Sequence, residues 1–233
     1  MKEHSTVLQK KKLSLAMICG ILGCFCYGGG DWLMMYGDTT RSGKLLWLTE
    51  GTAYISAWRN NLAMILAFPG IIFYGVALFY LEQLIKTRKE QKIYHYLNVF
   101  GLTPWMCLHL FYIMILYLYS WLMNNGYQDM ALGACEALYE HLSWIIPVSE
   151  ALMLPVFLYW FYLVIRSKTI LPQWLAGGNV LVFYAILSLV KGLMPDTPFR
   201  LGFTNGLMSE SMIFFFLLIW IVGSRLKAED IKL

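Results

Sequence analysis

Long apolar stretches recur along the chain, and their length constrains the fold more than any other feature. Of the 233 residues, 59% are hydrophobic and only 14% are charged, whereas soluble domains carry about 25% charged residues. A helix that crosses the bilayer needs about 20 apolar residues. The pattern predicts six such helices, over residues 13–37, 60–85, 95–123, 143–165, 170–192 and 204–224. We therefore expect a single transmembrane domain over residues 1–233, an all-α integral membrane protein built as a six-transmembrane helix bundle.

The basic residues predict how this bundle is oriented. Cytoplasmic loops of membrane proteins carry an excess of Lys and Arg. Thirteen of the 18 basic residues fall on one predicted side, at both termini, between spans two and three and between spans four and five. We therefore expect N and C termini in the cytoplasm and a multi-pass protein of a bacterial-type cell membrane. The net charge of +4 then reflects topology, and no nucleic acid partner is expected.

Two longer outer loops are predicted to contain short interfacial helices. In residues 38–59 and 127–142, apolar side chains recur at helical spacing and leave acidic residues on another face. Amphipathic helices of this kind lie in the plane of the membrane interface. Two such helices on the outer side would either roof a cavity that opens outward or simply shorten the exposed loops.

Three acidic residues lie inside predicted spans, namely Asp31, Glu150 and Glu210. A charged side chain at the centre of a membrane helix costs about 2.5–3.5 kcal/mol on insertion scales, so such residues usually face a polar cavity or a partner. At 1.5 Å per residue, all three lie at a similar depth below the outer ends of their spans. We therefore expect an outward-opening polar cavity that these carboxylates line.

Further polar residues extend this candidate site. His109 and Asn179 lie deeper in their spans than the carboxylates. Asp31, Glu150, Glu210 and His109 are the candidate catalytic residues, because carboxyl groups and imidazole serve in general acid–base catalysis. The same four side chains are the expected ligands if a divalent metal is bound. The candidate ligand-binding residues are Trp32, Asn179, Tyr184, Asn205 and Ser209.

Each candidate also has a purely structural alternative. Asp31 follows three glycines and could cap free backbone N–H groups at the end of a helix. His109 and Asn179 could form hydrogen bonds between helices. The two glutamates could form ion pairs with three of the five basic residues of the outer side, Arg59, Lys191 or Arg200.

Three classes of function fit this pattern. The first is a protein that binds or chemically processes a lipid-like or amphiphilic ligand among the membrane lipids. The second is a small proton- or cation-coupled transporter, and the third is a non-catalytic membrane partner or sensor subunit. The chain has no H-E-x-x-H or G-x-S-x-G motif, which argues against zinc proteases and serine hydrolases. The ligand and the oligomeric state stay open at this level.

Overall fold

A computed structural model of the protein describes residues 2–37, 45, 48 and 50–226. Predicted features in the remaining residues lie outside this part of the chain, including residues 38–44, 46, 47 and 49 of the first interfacial segment and the basic residues Lys227 and Lys232. The described residues form eight α-helices: α1 (Lys2–Met35), α2 (Glu50–Ala53), α3 (Ala57–Leu81), α4 (Arg88–Asn124), α5 (Gln128–Leu142), α6 (Ile145–Ile165), α7 (Val180–Leu193) and α8 (Pro198–Arg225). The predicted all-helical architecture is confirmed for this part of the chain.

Five of the described helices are long and apolar enough to cross a membrane. They are the segments Gln9–Met35, Ala57–Leu84, Arg88–Asn124, Ile145–Ile165 and Pro198–Arg225. The second of these includes a 3₁₀ turn, Glu82–Leu84, that continues α3. These helices give the protein the make-up of a multi-pass membrane protein.

The predicted fifth span, residues 170–192, is not one long helix. A 3₁₀ turn over Gln173–Gly178 comes first, and α7 then begins at Val180 and has only 14 residues. The break occurs at Asn179, whose side-chain oxygen accepts from the N–H of Leu181 at 2.9 Å, as an N-cap residue does. A count of apolar residues is insensitive to a single polar residue, and for this reason it predicted one continuous span here. The described structure has five long helices and one shorter apolar helix.

The glycines and prolines inside the other spans do not interrupt their helices. α1 runs without a break through Gly28, Gly29 and Gly30, and prolines lie inside α3, α4 and α6. Membrane helices tolerate such residues because neighbouring groups satisfy the freed backbone carbonyls. Asp31 therefore lies within a continuous helix, and the alternative of a carboxylate that caps a new helix is wrong.

The long helices pack in a ring. α1 lies between α3 and α8, with α4 beside α3 and α6 beside α4, while α7 packs on α8. Small residues bring α1 and α3 close together, since a Cβ atom at Gly23 would lie 2.7 Å from the ring of Tyr74 and one at Gly70 would lie 2.8 Å from the ring of Tyr27. The contact between α6 and α7 is much less extensive than those between the other neighbours. The ring therefore has a weak seam between these two helices.

The loops at one end of the bundle carry basic residues. The loop after α3 and the loop after α6 join there through an isolated bridge between Ile85 and Thr169. Lys10, near the start of α1, donates from Nζ to the carbonyl of Ser224 at the end of α8 at 3.1 Å. In the same region Lys168 forms an ion pair with Glu90, and this contact raises the pKa of the Lys168 ammonium group above its ordinary value.

The opposite end of the bundle has a separate apolar core. Residues of the second half of α4 and of α5 form most of it, and α1, α2, α3 and α8 also contribute. Ala131 and Cys135 are the buried residues of α5, and Ser120 of α4 donates to the carbonyl of Ala53 in α2 at 2.9 Å. The second predicted outer helix therefore corresponds to α5.

Candidate functional site

The residues singled out from the sequence divide into two groups in the structure. Asp31, Trp32, His109 and Glu210 come together in the interior of the bundle. Glu150 lies elsewhere, in a cavity on the other side of α4 that it shares with Tyr184. The predicted single cavity is thus replaced by an interior cluster and a separate cavity.

The interior cluster contains a carboxylate–imidazole pair. Asp31 Oδ1 lies 3.3 Å from His109 Nδ1, and the two side chains are 19% and 6% exposed. His109 approaches α1 closely because residue 30 is glycine: a Cβ atom there would lie 3.3 Å from His109 Nε2. The imidazole also packs edge-on against Tyr27, with ring centres 4.7 Å apart. Asp31 therefore orients the imidazole, while Nε2 is buried and has no hydrogen-bond partner among the described residues.

A second polar contact in this cluster joins α1 to α8. The indole Nε1 of Trp32 donates to Glu210 Oε1 at 3.0 Å. The indole fits against α8 because Gly202 and Gly206 have no side chains, and a Cβ atom at Gly202 would lie 2.6 Å from the ring. The other carboxylate oxygen of Glu210, Oε2, is buried and has no hydrogen-bond partner among the described residues. Glu210 is thus held at one oxygen only.

Two tyrosines that the sequence did not single out complete the interior cluster. Tyr27 stacks on Tyr74 with ring centres 5.1 Å apart, and the Tyr74 hydroxyl donates to Ser209 at 3.3 Å. Both tyrosines are almost fully buried. The chain has many aromatic residues, and the only sequence signal for Tyr27 and Tyr74 is the presence of glycines in the helices that they contact. Gly70, for example, faces Tyr27.

The ion pairs expected as the structural alternative do not form. Within the described residues, neither Glu150 nor Glu210 pairs with a Lys, Arg or His side chain. Arg59 instead donates to the carbonyl of Tyr36 at 2.8 Å, and Arg200 lies 3.9 Å from Asp196. The two glutamates are therefore not neutralised by these arginines.

The expected set of metal ligands does not assemble either. Over the part of the chain that the structure describes, no three His, Cys, Asp or Glu side chains lie close enough together to hold a metal ion. Asp31 and His109 are in contact, but Glu150 lines a different cavity. The geometry of these residues gives the divalent-metal hypothesis no support.

The separate cavity lies where α4, α6, α7 and α8 meet, at the weak seam between α6 and α7. Its volume is about 330 Å³. Glu150 and Tyr184 are its polar residues with ionisable side chains, and the rest of its lining is apolar: Leu108, Met153, Leu154, Phe157, Leu181 and Met208. Because Leu108 lines the cavity and the next residue, His109, contacts Asp31, the cavity and the interior cluster meet different faces of α4.

The remaining predicted ligand-binding residues contact other parts of the protein. Asn179 caps α7 and also donates to the carbonyl of Phe157 in α6 at 3.0 Å. Asn205 donates to the carbonyl of Leu201 in its own helix at 2.8 Å. Neither residue lines the cavity of Glu150, and the contacts of Asn179 match the structural alternative of a hydrogen bond between helices.

Sequence reasoning missed one further polar group, at the basic end of the bundle. Glu82 lies 3.1 Å from Nδ1 of His95, and Asn98 donates to the same carboxylate at 3.4 Å. Glu82 falls inside the predicted span 60–85. An acidic residue near the end of that apolar stretch is the sequence feature that could have indicated this polar group. In the structure it belongs to the 3₁₀ turn that ends the helix.

The chain belongs to a protein family of unknown function (DUF6796), whose model matches residues 1–225. No curated protein and no solved structure matches the chain. The family thus adds no activity to what the geometry supports.

Proposed function

We propose that this protein binds an amphiphilic molecule of the membrane in the cavity between α4, α6, α7 and α8. The observation that carries the proposal is the combination of an apolar lining with a carboxylate and a phenol, those of Glu150 and Tyr184. Ligand sites are typically cavities of about 300–1,000 Å³ that are lined by apolar side chains and a few polar groups. A volume of about 330 Å³ lies at the lower end of this range and favours a small ligand or one chain of a larger one.

The seam between α6 and α7 supplies a route into the cavity. These two helices contact each other much less than the other neighbours in the ring do, and Glu150 and Tyr184 stand on opposite sides of the seam. A membrane molecule would enter sideways, with its apolar part against Leu154 and Leu181 and its polar head near Glu150. Burial of apolar surface contributes about 25 cal/mol per Å², which favours an amphiphile over a fully polar ligand.

The geometry supports binding better than catalysis. Acid–base catalysis requires the reacting groups to lie within hydrogen-bond reach of the substrate. The Asp31–His109 pair and Glu210 lie in the interior cluster, whereas Glu150 lines the cavity on the other side of α4. A ligand at Glu150 therefore has one carboxylate and one phenol beside it, those of Glu150 and Tyr184. The imidazole of His109 does not line the cavity.

The same proposal includes six membrane crossings with both termini in the cytoplasm. The loop 166–172 joins the basic end of the bundle through the bridge at Thr169, whereas α8 runs antiparallel to α1 and starts at the opposite end. In this proposal the 3₁₀ turn and α7 connect the two ends of the bundle. At about 2.0 Å and 1.5 Å per residue respectively, they reach roughly the thickness of the hydrocarbon core. The amphipathic α5 would then lie at the outer interface.

Photolabelling tests the proposed cavity. The probe is a single-chain amphiphile with a hydroxyl head and a diazirine in its alkyl chain, added to the protein in phosphatidylcholine nanodiscs. We expect saturable labelling of peptides from α6 and α7, reduced by excess unlabelled dodecanol. Non-saturable labelling spread over lipid-facing residues such as Leu15 and Phe25 of α1, with no excess at the cavity, would contradict the proposal.

A second candidate function, a proton-coupled transporter, is supported by the interior cluster. The carboxylate of Glu210 is held at one oxygen only, and it interacts electrostatically with Asp31. Ionisable groups inside membrane helices often form proton relays. The test uses proteoliposomes that contain a pH-sensitive dye and receive an inward gradient of dodecyltrimethylammonium. The transporter predicts proton movement that Glu210→Gln abolishes, and no protein-dependent proton movement in the wild type would exclude it.

A further inference from the structure

We propose that the cavity selects an amphiphile with a cationic head group, a single-chain ammonium compound in its simplest form. This inference rests on the proposed function, because it names the class of ligand that the same cavity takes. The observation behind it is the carboxylate of Glu150, an exposed side chain that lines the apolar cavity and has no basic partner among the described residues.

The described part of the chain supplies no charge that neutralises Glu150. Over the described residues, no Lys, Arg or His side chain forms an ion pair with this carboxylate. Two arginines that the structure describes near this end of the bundle have other contacts, Arg59 with the carbonyl of Tyr36 and Arg200 with Asp196. A carboxylate in apolar surroundings is costly unless it is paired. A cation in the ligand supplies the missing charge.

Tyrosine side chains near Glu150 fit the same ligand. Tyr184 of α7 lines the cavity with it, and Tyr112 of α4 is close enough to interact with its charge. Tyrosine rings attract ammonium groups through their negative faces, and they bind quaternary ammonium ligands well. A carboxylate with the phenol ring of Tyr184 beside it in the cavity lining is therefore suited to an alkylammonium head and unsuited to an anionic one.

The apolar lining determines the chemistry of the ligand beyond its head group. Six apolar side chains cover the remainder of the cavity, and two of them are methionines, Met153 and Met208. Methionine adapts its shape to irregular ligands because its side chain is unbranched and flexible. The cavity therefore requires an apolar chain, and a small hydrophilic cation such as tetramethylammonium lacks the part that this lining would contact.

The head group is tested by competition against the hydroxyl-headed photolabel in phosphatidylcholine nanodiscs. The competitors are dodecylammonium, dodecanol and dodecanoate, which share one chain and differ in charge. We expect dodecylammonium to halve the labelling of α6 and α7 at a concentration at least ten times lower than dodecanol, and dodecanoate to be the weakest. Tetramethylammonium should not compete. This comparison uses only the wild-type protein.

The Glu150→Gln variant then assigns the preference to one side chain. It should retain labelling by the photolabel and lose the advantage of dodecylammonium over dodecanol. Asp129→Asn, which removes an acidic charge from the exposed start of α5, should keep that advantage. Equal competition by all three compounds in the wild type would overturn the cationic head group while the proposed binding function stands. Absence of saturable labelling would overturn the binding function itself.

Discussion

The indole of Trp32 donates to Glu210 at 3.0 Å and lies against Gly202 and Gly206 of the same helix, α8. One residue earlier on α1, Asp31 contacts His109 of α4. Two adjacent residues of α1 thus join it to two different helices through polar contacts. Buried polar contacts of this kind favour one arrangement of helices because an alternative arrangement leaves the groups unpaired. We infer that this pair of residues fixes the register of α1 within the bundle.

The first prediction concerns the hydrogen bond from Trp32 to Glu210. Trp32→Phe keeps an aromatic ring but removes the indole N–H, and so it leaves the partly buried carboxylate without its donor. We expect the free energy of unfolding in mixed micelles to fall by about 1–3 kcal/mol, the cost of leaving a buried polar group unpaired. Trp58→Phe is the matched control, since Trp58 is 59% exposed. Equal effects of the two substitutions would show that the hydrogen bond contributes nothing.

The second prediction concerns the space that the glycines of α8 leave for the indole. Gly202→Ala places a methyl group 2.6 Å from the ring of Trp32, whereas Gly29→Ala on α1 meets no atom within 4 Å. We expect Gly202→Ala to lower stability by about 1–3 kcal/mol through overpacking, and Gly29→Ala to be neutral or slightly stabilising. Thermal unfolding in detergent distinguishes them. A neutral Gly202→Ala would mean that the indole does not lie against α8.

The third prediction concerns the Asp31–His109 pair. A double-mutant cycle with Asp31→Asn and His109→Gln isolates the interaction between the two side chains. Because they are 19% and 6% exposed, we expect a coupling energy of about 1–3 kcal/mol, in the range found for residues in contact. The energies come from reversible unfolding in mixed micelles. Additive effects within about 0.5 kcal/mol would show that the two groups do not interact.

The chain's sequence predicts the helices well where apolar residues run without a break. The five long helices overlap five of the predicted spans, because burial in hydrocarbon requires every backbone group to be bonded within a helix. The prediction was less accurate at residues 170–192. There Asn179 can accept a hydrogen bond from the N–H two residues later, and this local bond ends the 3₁₀ turn and begins α7. The mean hydropathy of a stretch of sequence does not reveal such a local hydrogen bond.

The candidate site shows a similar limit. Depth along each helix follows from counting residues, and the adjacent residues Leu108 and His109 of α4 reach the cavity of Glu150 and the side chain of Asp31 respectively. The side of a helix on which a residue lies depends on which helices are neighbours. That arrangement follows from packing between distant segments, such as Trp32 against Gly202 and Gly206. For this reason the sequence indicated the polar residues but not their division between the interior and the cavity.

The fourth prediction concerns the number of membrane crossings. In a variant without the five native cysteines, Ser167→Cys and Thr197→Cys introduce single thiols before and after the segment that contains α7. Six crossings predict that a membrane-impermeant maleimide labels Thr197→Cys in intact cells and labels Ser167→Cys only after permeabilisation. Labelling of both from the same side would show that this segment does not cross.

Native mass spectrometry with dodecylammonium tests whether the cavity binds an amphiphile. Leu154→Trp enlarges a side chain that lines the cavity, and Leu158→Trp makes the same change one turn along α6 at a residue outside the lining; the two leucines are 43% and 49% exposed. We predict one bound dodecylammonium on the wild type and on Leu158→Trp, and none on Leu154→Trp. Equal occupancy of all three proteins, or no retained ligand on any of them, would contradict the account.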